Sequence, residues 1–109
     1  MAITVSIRYK GENGSARKFA QEMIDSGIVA GIRAEEGNLL YEYYYSVDDP
    51  ETVLLIDSWA SQEAIDVHHA SIYMPKIMEL REKYDLHMDV RRYVDDTTDT
   101  SSDEKFLRK

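Results

Sequence analysis

Side chains suited to moving a proton and to gripping an aromatic ring gather in one stretch of the sequence, DSWASQEAIDVHHAS, from Asp57 to Ser71. It holds the only tryptophan, Trp59, and two of the three histidines, His68 and His69. Asp57 lies two residues before Trp59 inside the apolar run TVLLIDSWA. On a strand, residues i and i+2 share a face, so Asp57 and Trp59 point the same way. A helix starting after Ser61 would return across the sheet with Ala64, Ile65, His68 and Ile72 on its inward stripe. His69 is turned by about 100° from that stripe, so it is the peripheral histidine of the two. A carboxylate and an imidazole beneath an indole make a polar pocket in an apolar wall. Burial raises the carboxylate's pKa and a histidinium lowers it. Such a pair can take the proton of a phenol or hydroquinone, or orient a carbonyl. Tyr41, Tyr43 and Tyr73 would add aromatic walls and hydroxyl donors. The catalytic reading thus rests on His68 and Asp57, with Trp59, Tyr41, Tyr43 and Tyr73 holding the substrate. The same residues also fit a plain core: a packed tryptophan, a satisfied inward histidine, an Asp57 bonded to a backbone group or to His68, and a tyrosine run that fills a strand and a dimer surface.

Other chemistry finds little support. Adjacent helical residues diverge, and helical metal pairs use i, i+3 or i, i+4 spacing, so His68-His69 is not a metal clamp and no metal site is expected. The absence of cysteine removes thiolate nucleophiles, thiolate metal sites and disulfides. No phosphate-cradling glycine loop or G-x-S-x-G elbow is present. Arg91 and Arg92 are neighbours on a strand and face opposite sides, so they cannot clamp one anion together.

The 109 residues suit one domain, and 43% hydrophobic with 31% charged residues is ordinary for a soluble globular protein. A net charge of −8 repels a phosphate backbone, so nucleic acid is not an expected partner. No apolar run approaches the ~18 residues of a membrane span. The opening MAITVSIRYKG alternates apolar and polar residues and does not read as a signal peptide. A cytoplasmic protein with no membrane contact is the expectation.

The elements that must position the site follow from periodicity. Ile3 to Tyr9 alternates with period two and predicts a strand. Ala16, Phe19, Ala20, Met23 and Ile24 predict a helix, with Ser15 as N-cap and Gly27 as its stop. Ile28 to Arg33 is too short to assign between loop and irregular helical turn. Leu39 to Ser46 and Thr52 to Ala60 predict an antiparallel hairpin, with Leu39, Tyr41, Tyr43 and Tyr45 on one face of its first strand. Ser61 caps the next helix, which breaks near Ser71 so that Pro75 can stand in the first turn of a second segment. Leu86 to Val94 alternates again, and Asp95 to Lys109 is a polar tail. Residues 1–94 then form one domain and residues 95–109 a tail. The order β-α-β-β-α-β is the ferredoxin-like arrangement of the α+β class, a four-stranded antiparallel sheet with both helical layers on one face. Leu54, Ile56, Leu40 and Tyr44 would leave the opposite face too apolar for water, which predicts a homodimer through the sheet.

Over roughly residues 2 to 94 the chain resembles the antibiotic biosynthesis monooxygenase domain, a dimeric α+β barrel. EEGNLLYEYYY is similar to the family's E-P-G-x-x-x-Y turn and strand, and DDPETVLLIDSWASQEAIDVHHAS to its stretch ending E-x-W-x-S-x-E-A-x-x-x-H-x-x-S. On that match Glu35, Gly37 and Tyr41 take the turn and strand positions, Asp57 the strand carboxylate, Trp59 the aromatic position, Glu63 and Ala64 the helix start, and His68 the helix histidine. Glu36 stands where the family has proline, and Asp57 is one methylene shorter than the usual glutamate. The resemblance implies a homodimer without metal or flavin and an oxygenase of a small aromatic hydroquinone or phenol. It also admits an isomerase or degradative enzyme for a small phosphorylated carbonyl signal of the autoinducer-2-phosphate type, for which Arg8, Arg33, Arg91 and Arg92 are the candidate anion holders. A non-catalytic binding dimer is the third reading, and it requires a sealed core around Trp59 and His68. The family's haem-degrading branch uses an asparagine on the first strand, and Thr4 to Arg8 offers none.

Overall fold

A computed structural model describes residues 1–109. Its strands are β1 (Ile3–Lys10), β2 (Asn38–Tyr45), β3 (Thr52–Trp59) and β4 (His87–Val94); its helices are α1 (Ser15–Asp25), α2 (Ile28–Arg33), α3 (Gln62–His69) and α4 (Tyr73–Lys83). All pairings are antiparallel, in the order β2-β3-β1-β4. This is the expected ferredoxin-like α+β sheet. No helix is long and apolar enough to cross a membrane.

The register sets what the helices cover. Val5 pairs with Asp57 and Arg92, Ile7 with Leu55 and Val90, and Tyr9 with Val53 and Met88. Tyr41 lies opposite Asp57 on the other side of β3. One face therefore carries Tyr41, Asp57, Val5 and Arg92 in a row across four strands. The core is built on that face, where Tyr9, Val53, Leu55 and Trp59 meet Phe19, Met23, Ile32, Ile65, Ile77 and Leu80 from the helices. Helical cover stops short of β4, whose residues are all exposed. On the opposite face Leu54 and Ile56 are half-buried, while Leu40, Tyr44 and Tyr93 are exposed.

Several local expectations are corrected. Ser15 does not cap α1; left-handed Gly14 does, and its N–H donates to the Glu51 carboxylate at 3.1 Å. Ser15 is instead the first helical residue, and its hydroxyl accepts from Glu12 N–H. Gly27 does stop α1 at positive φ, and it also starts α2, the unassigned segment, which buries Ile28, Val29 and Ile32. Leu39 does not share a face with Tyr41. A bulge between Asn38 and Leu40 makes it the extra residue, and it is exposed. Ile72 is not on the inward stripe but 84% exposed, because α3 ends at His69 and the helical phase is lost before α4 begins. Ser61 caps α3 as expected, accepting from Ala64 N–H at 3.1 Å, and Pro75 sits in the first turn of α4, where its missing N–H goes unneeded.

Gly37 ties the β2 entry to α3. Its φ is +85°, its carbonyl accepts Ala60 N–H at 2.8 Å, and a Cβ there would lie 2.6 Å from the Ala64 Cβ. Strain and collision act together, so Gly37→Ala is expected to lower stability by about 2 kcal/mol or more. A urea midpoint that does not move would refute this account of the turn. Residues 95–109 are exposed and contain one short 3-10 turn, Ser101–Phe106.

Candidate active site

Between the sheet and helices α3 and α4 lies a cavity of about 210 Å³. Its deep wall is Tyr41, Asp57, Trp59 and His68; its sides are Val5, Ile7, Leu55, Ile65 and Ile77; and its rim includes Met88, Val90 and Arg92 of β4. The exposure of those rim residues makes the β4 side the open side. An apolar cavity of about 150 Å³ is known to hold benzene, so this space fits one substituted ring.

Asp57 is buried at 6% exposure. Alternation along β3 brings the Trp59 indole onto the same face, and its Nε1–H donates to Asp57 Oδ2 at 2.9 Å. The other oxygen, Oδ1, is buried and has no partner. Burial therefore pushes the Asp57 pKa above its ordinary 3.8, against the pull of the indole N–H and of His68 and His69. The result is a buried carboxyl with one oxygen fixed and the other unpartnered, on a residue that lines the cavity.

His68 is 5% exposed and stacks on Trp59, with ring centroids 4.6 Å apart. The expected Asp57–His68 hydrogen bond is not made. His68 Nδ1 lies 2.7 Å from Glu35 Oε2, a residue from the turn before β2. An ionised carboxylate can only accept, so Nδ1 is the donating nitrogen toward Glu35, and in the neutral imidazole Nε2 is then the acceptor. Glu35 thus orients the imidazole as a carboxylate orients the base of a catalytic triad.

The structure brings together Asp57, Trp59, His68 and Tyr41 of the expected set. Tyr41 is buried, its hydroxyl lies 3.5 Å from that of Tyr43, and burial holds both phenols above their ordinary pKa. Tyr43 stands outside the cavity wall, packed edge-on to Tyr41 and Phe19. Tyr73 is also outside it, with its hydroxyl lying over Gly31 of α2. His69 is exposed and reaches the cavity at its edge. Of the four candidate anion holders, Arg8 and Arg91 are on the outer face, Arg33 binds the Tyr41 carbonyl at 2.7 Å, and Arg92 alone lines the cavity. Two participants are not among the expected site residues: Glu35, matched in the sequence only as a turn position, and Arg81. Glu35 is separated from His68 by 33 residues. Arg81, also on the cavity wall, is the third member of the α4 stripe Met74, Ile77, Arg81, and that helical spacing is the signal by which the sequence marks it. No group of three or more His, Asp or Glu side chains converges to hold a metal ion.

Comparison with known proteins bears on this geometry. The sequence profile described as antibiotic biosynthesis monooxygenase matches residues 2–80. No curated protein matches the sequence. Among solved structures, a candidate antibiotic biosynthesis monooxygenase from Deinococcus radiodurans superposes with a TM-score of 0.75 at 18% identity, covering 92% of this chain and 97% of that one. SnoaB, a cofactor-independent oxygenase from Streptomyces nogalater, gives 0.74 at 12% identity, covering 89% and 95%. A conserved protein from Methanosarcina mazei Go1 gives 0.73 at 22% identity, covering 85% and 91%. At these identities the structures share the fold.

Proposed function

The chain belongs to the antibiotic biosynthesis monooxygenase family, and on that premise we propose that it oxygenates a small, single-ring hydroquinone or phenol with dioxygen and no bound cofactor. The observation that carries this reading is a ring-sized cavity lined by both the buried Asp57 and the His68 imidazole. Asp57 and His68, two proton-accepting residues on one cavity, would serve the two hydroxyls of one ring. Loss of a phenolic proton to Asp57 or His68 leaves an electron-rich anion able to reduce dioxygen. One oxygen atom then joins a ring carbon and the other leaves as water, so a hydroquinone and O2 give a hydroxyquinone and H2O. Trp59 and Tyr41 would form the aromatic walls, with Tyr43 packing behind Tyr41 and Tyr73 bracing α2 against α4.

Two further parts of the reading concern the setting. The apolar outer face of the sheet supports a homodimer built through it, with residues 1–94 as the working domain and 95–109 as a tail. The absence of cysteine suits a reducing compartment and supports a cytoplasmic location. Arg81 and Arg92 on the cavity wall favour keeping a second reading, an enzyme for a small phosphorylated carbonyl. A cavity lined by Asp57, Trp59 and His68 weighs against the sealed core that a non-catalytic dimer requires.

The test is oxygen uptake by the purified protein across a panel of quinols. Uptake above autoxidation, one O2 per quinol, with single rings preferred over fused three-ring substrates, is the expected result. A panel in which no quinol is consumed faster than without protein defeats the reading. Sedimentation of the same sample should give twice 12.6 kDa, and a monomer would remove the dimer from it.

A further inference from the structure

In a chain with 21 acidic and 13 basic Lys and Arg residues, carboxylates are the abundant partners for a cation. Lys10, Lys76, Lys83, Arg91 and Lys109 each have one. The two arginines on the cavity do not. Arg81 donates through Nε and Nη2 to the Tyr9 hydroxyl, at 3.1 and 2.9 Å. Arg92 donates to the side-chain oxygen of Gln62. Both acceptors are neutral. Tyr9 cannot supply a countercharge, because burial raises its pKa above the ordinary phenol value against the opposing pull of Arg81. The carboxylate in the same cavity, Asp57, bonds Trp59 and makes no ion pair with either arginine.

The two cations reach the cavity from different walls. Arg81 rides the apolar stripe of α4, half-buried among Met74 and Ile77. Arg92 stands on β4, opposite Val5, at the open rim. A guanidinium has five N–H donors, so two bonds to Tyr9 leave Arg81 with donors to spare. Guanidinium groups match the two oxygens of a carboxylate or the oxygens of a phosphate. A molecule of net charge −8 repels anions at long range, so an anionic ligand needs a local positive site to be held.

We infer that the cavity takes an aromatic ligand bearing an oxyanion, with the ring toward Trp59 and His68 and the oxyanion between Arg81 and Arg92. This deepens the oxygenation reading and rests on it for the ring, but the anion site is separable by experiment. Trp59 is the only tryptophan and forms the cavity wall, so its fluorescence reports occupancy without turnover. Matched probes are methylhydroquinone against 2,5-dihydroxyphenylacetate, and phenol against phenyl phosphate. The acidic member of each pair should bind about 10-fold tighter at low salt, the lower end of a charge-assisted hydrogen bond's contribution. That preference should shrink as salt rises. In Arg92→Gln the ratio within each pair should fall close to one. Arg92 is on the surface, so this variant is not expected to unfold; Arg81→Lys, which keeps the charge but loses the fork, should lower the ratio only in part. Preference for the carboxylate pair alone, or the phosphate pair alone, would identify which oxyanion the site serves. Equal affinities within both pairs in the intact protein overturn the proposal, as does a preference that survives Arg92→Gln and Arg81→Gln alike. Tight binding of the acidic probes without oxygen uptake would defeat the oxygenation reading and leave the anion site standing. Uptake with neutral quinols only would do the reverse.

Discussion

Asp57→Asn should cut oxygen uptake by orders of magnitude and at the same time make the protein more stable. The two effects have one origin. Asp57 is buried with one oxygen unpartnered, so its ionised form is disfavoured in the folded chain. A carboxyl held above its ordinary pKa is a stronger base toward a phenol than a solvated aspartate. Asparagine keeps the shape and still accepts the Trp59 N–H, but it cannot receive a proton. Turnover should fall by about 10² to 10⁴, the usual contribution of a positioned acid–base group. Stability at neutral pH should rise by about 1 kcal/mol, because the buried charge is removed even though the amide NH2 takes over the unpartnered position. That corresponds to an increase of about 4 °C in Tm for a domain of this size.

The pH dependence separates this account from a general packing effect. The folded state holds the Asp57 proton more tightly than the unfolded state does, since the folded pKa lies above 3.8. Between 3.8 and the folded value, folded chains bind more protons, and stability falls as pH rises through that window. The destabilisation is complete above the folded pKa and absent below 3.8. The advantage of Asp57→Asn should therefore grow as pH rises through that window and vanish as the solution is acidified below 3.8. Paired melting curves across that range would show it. An advantage independent of pH, or a variant with unimpaired uptake, would remove Asp57 from the role given to it.

What could be read in advance follows the range of the interactions. The strands and their faces were legible because alternation is local; Asp57 and Trp59 had to share a face once the strand was recognised. His68 pointed inward because helical spacing from Ile65 requires it. The partners of these residues were not legible in the same way. Glu35 meets His68 only because the Gly37 turn folds against Ala64, a contact between segments far apart in sequence. Tyr73 is expected among the cavity walls, yet the small Gly31 opens a place for its ring against α2. The six residues of α2 are too few for a period to show, and the bulge at Leu39 breaks the alternation that would have placed it.

The Glu35–His68 pair carries the second large effect. Replacing His68 with alanine removes the ring that stacks on Trp59 and leaves the Glu35 carboxylate, 15% exposed, without its cation or donor. Losing one partner of a buried pair destabilises by about 3 kcal/mol or more when both groups are fully enclosed, and somewhat less here because Glu35 keeps some contact with water. Lost activity in His68→Ala would then mix chemistry with folding. Glu35→Gln separates them. The amide can still bond to Nδ1, so the ring stays in place and stability should change by no more than about 1 kcal/mol. The amide can also donate, however, which a carboxylate cannot. It therefore permits the tautomer in which Nε2 carries the proton and no longer accepts from substrate. A base turned to the wrong tautomer loses turnover while the pocket keeps its shape. In Glu35→Gln, kcat should fall by about 10²-fold with KM nearly unchanged, and ring binding reported by Trp59 fluorescence should persist. Glu35→Asp retains the charge but shortens the reach, and should recover part of the rate. If Glu35→Gln keeps full turnover, His68 is a packed wall of the cavity, and proton removal falls to Asp57 alone.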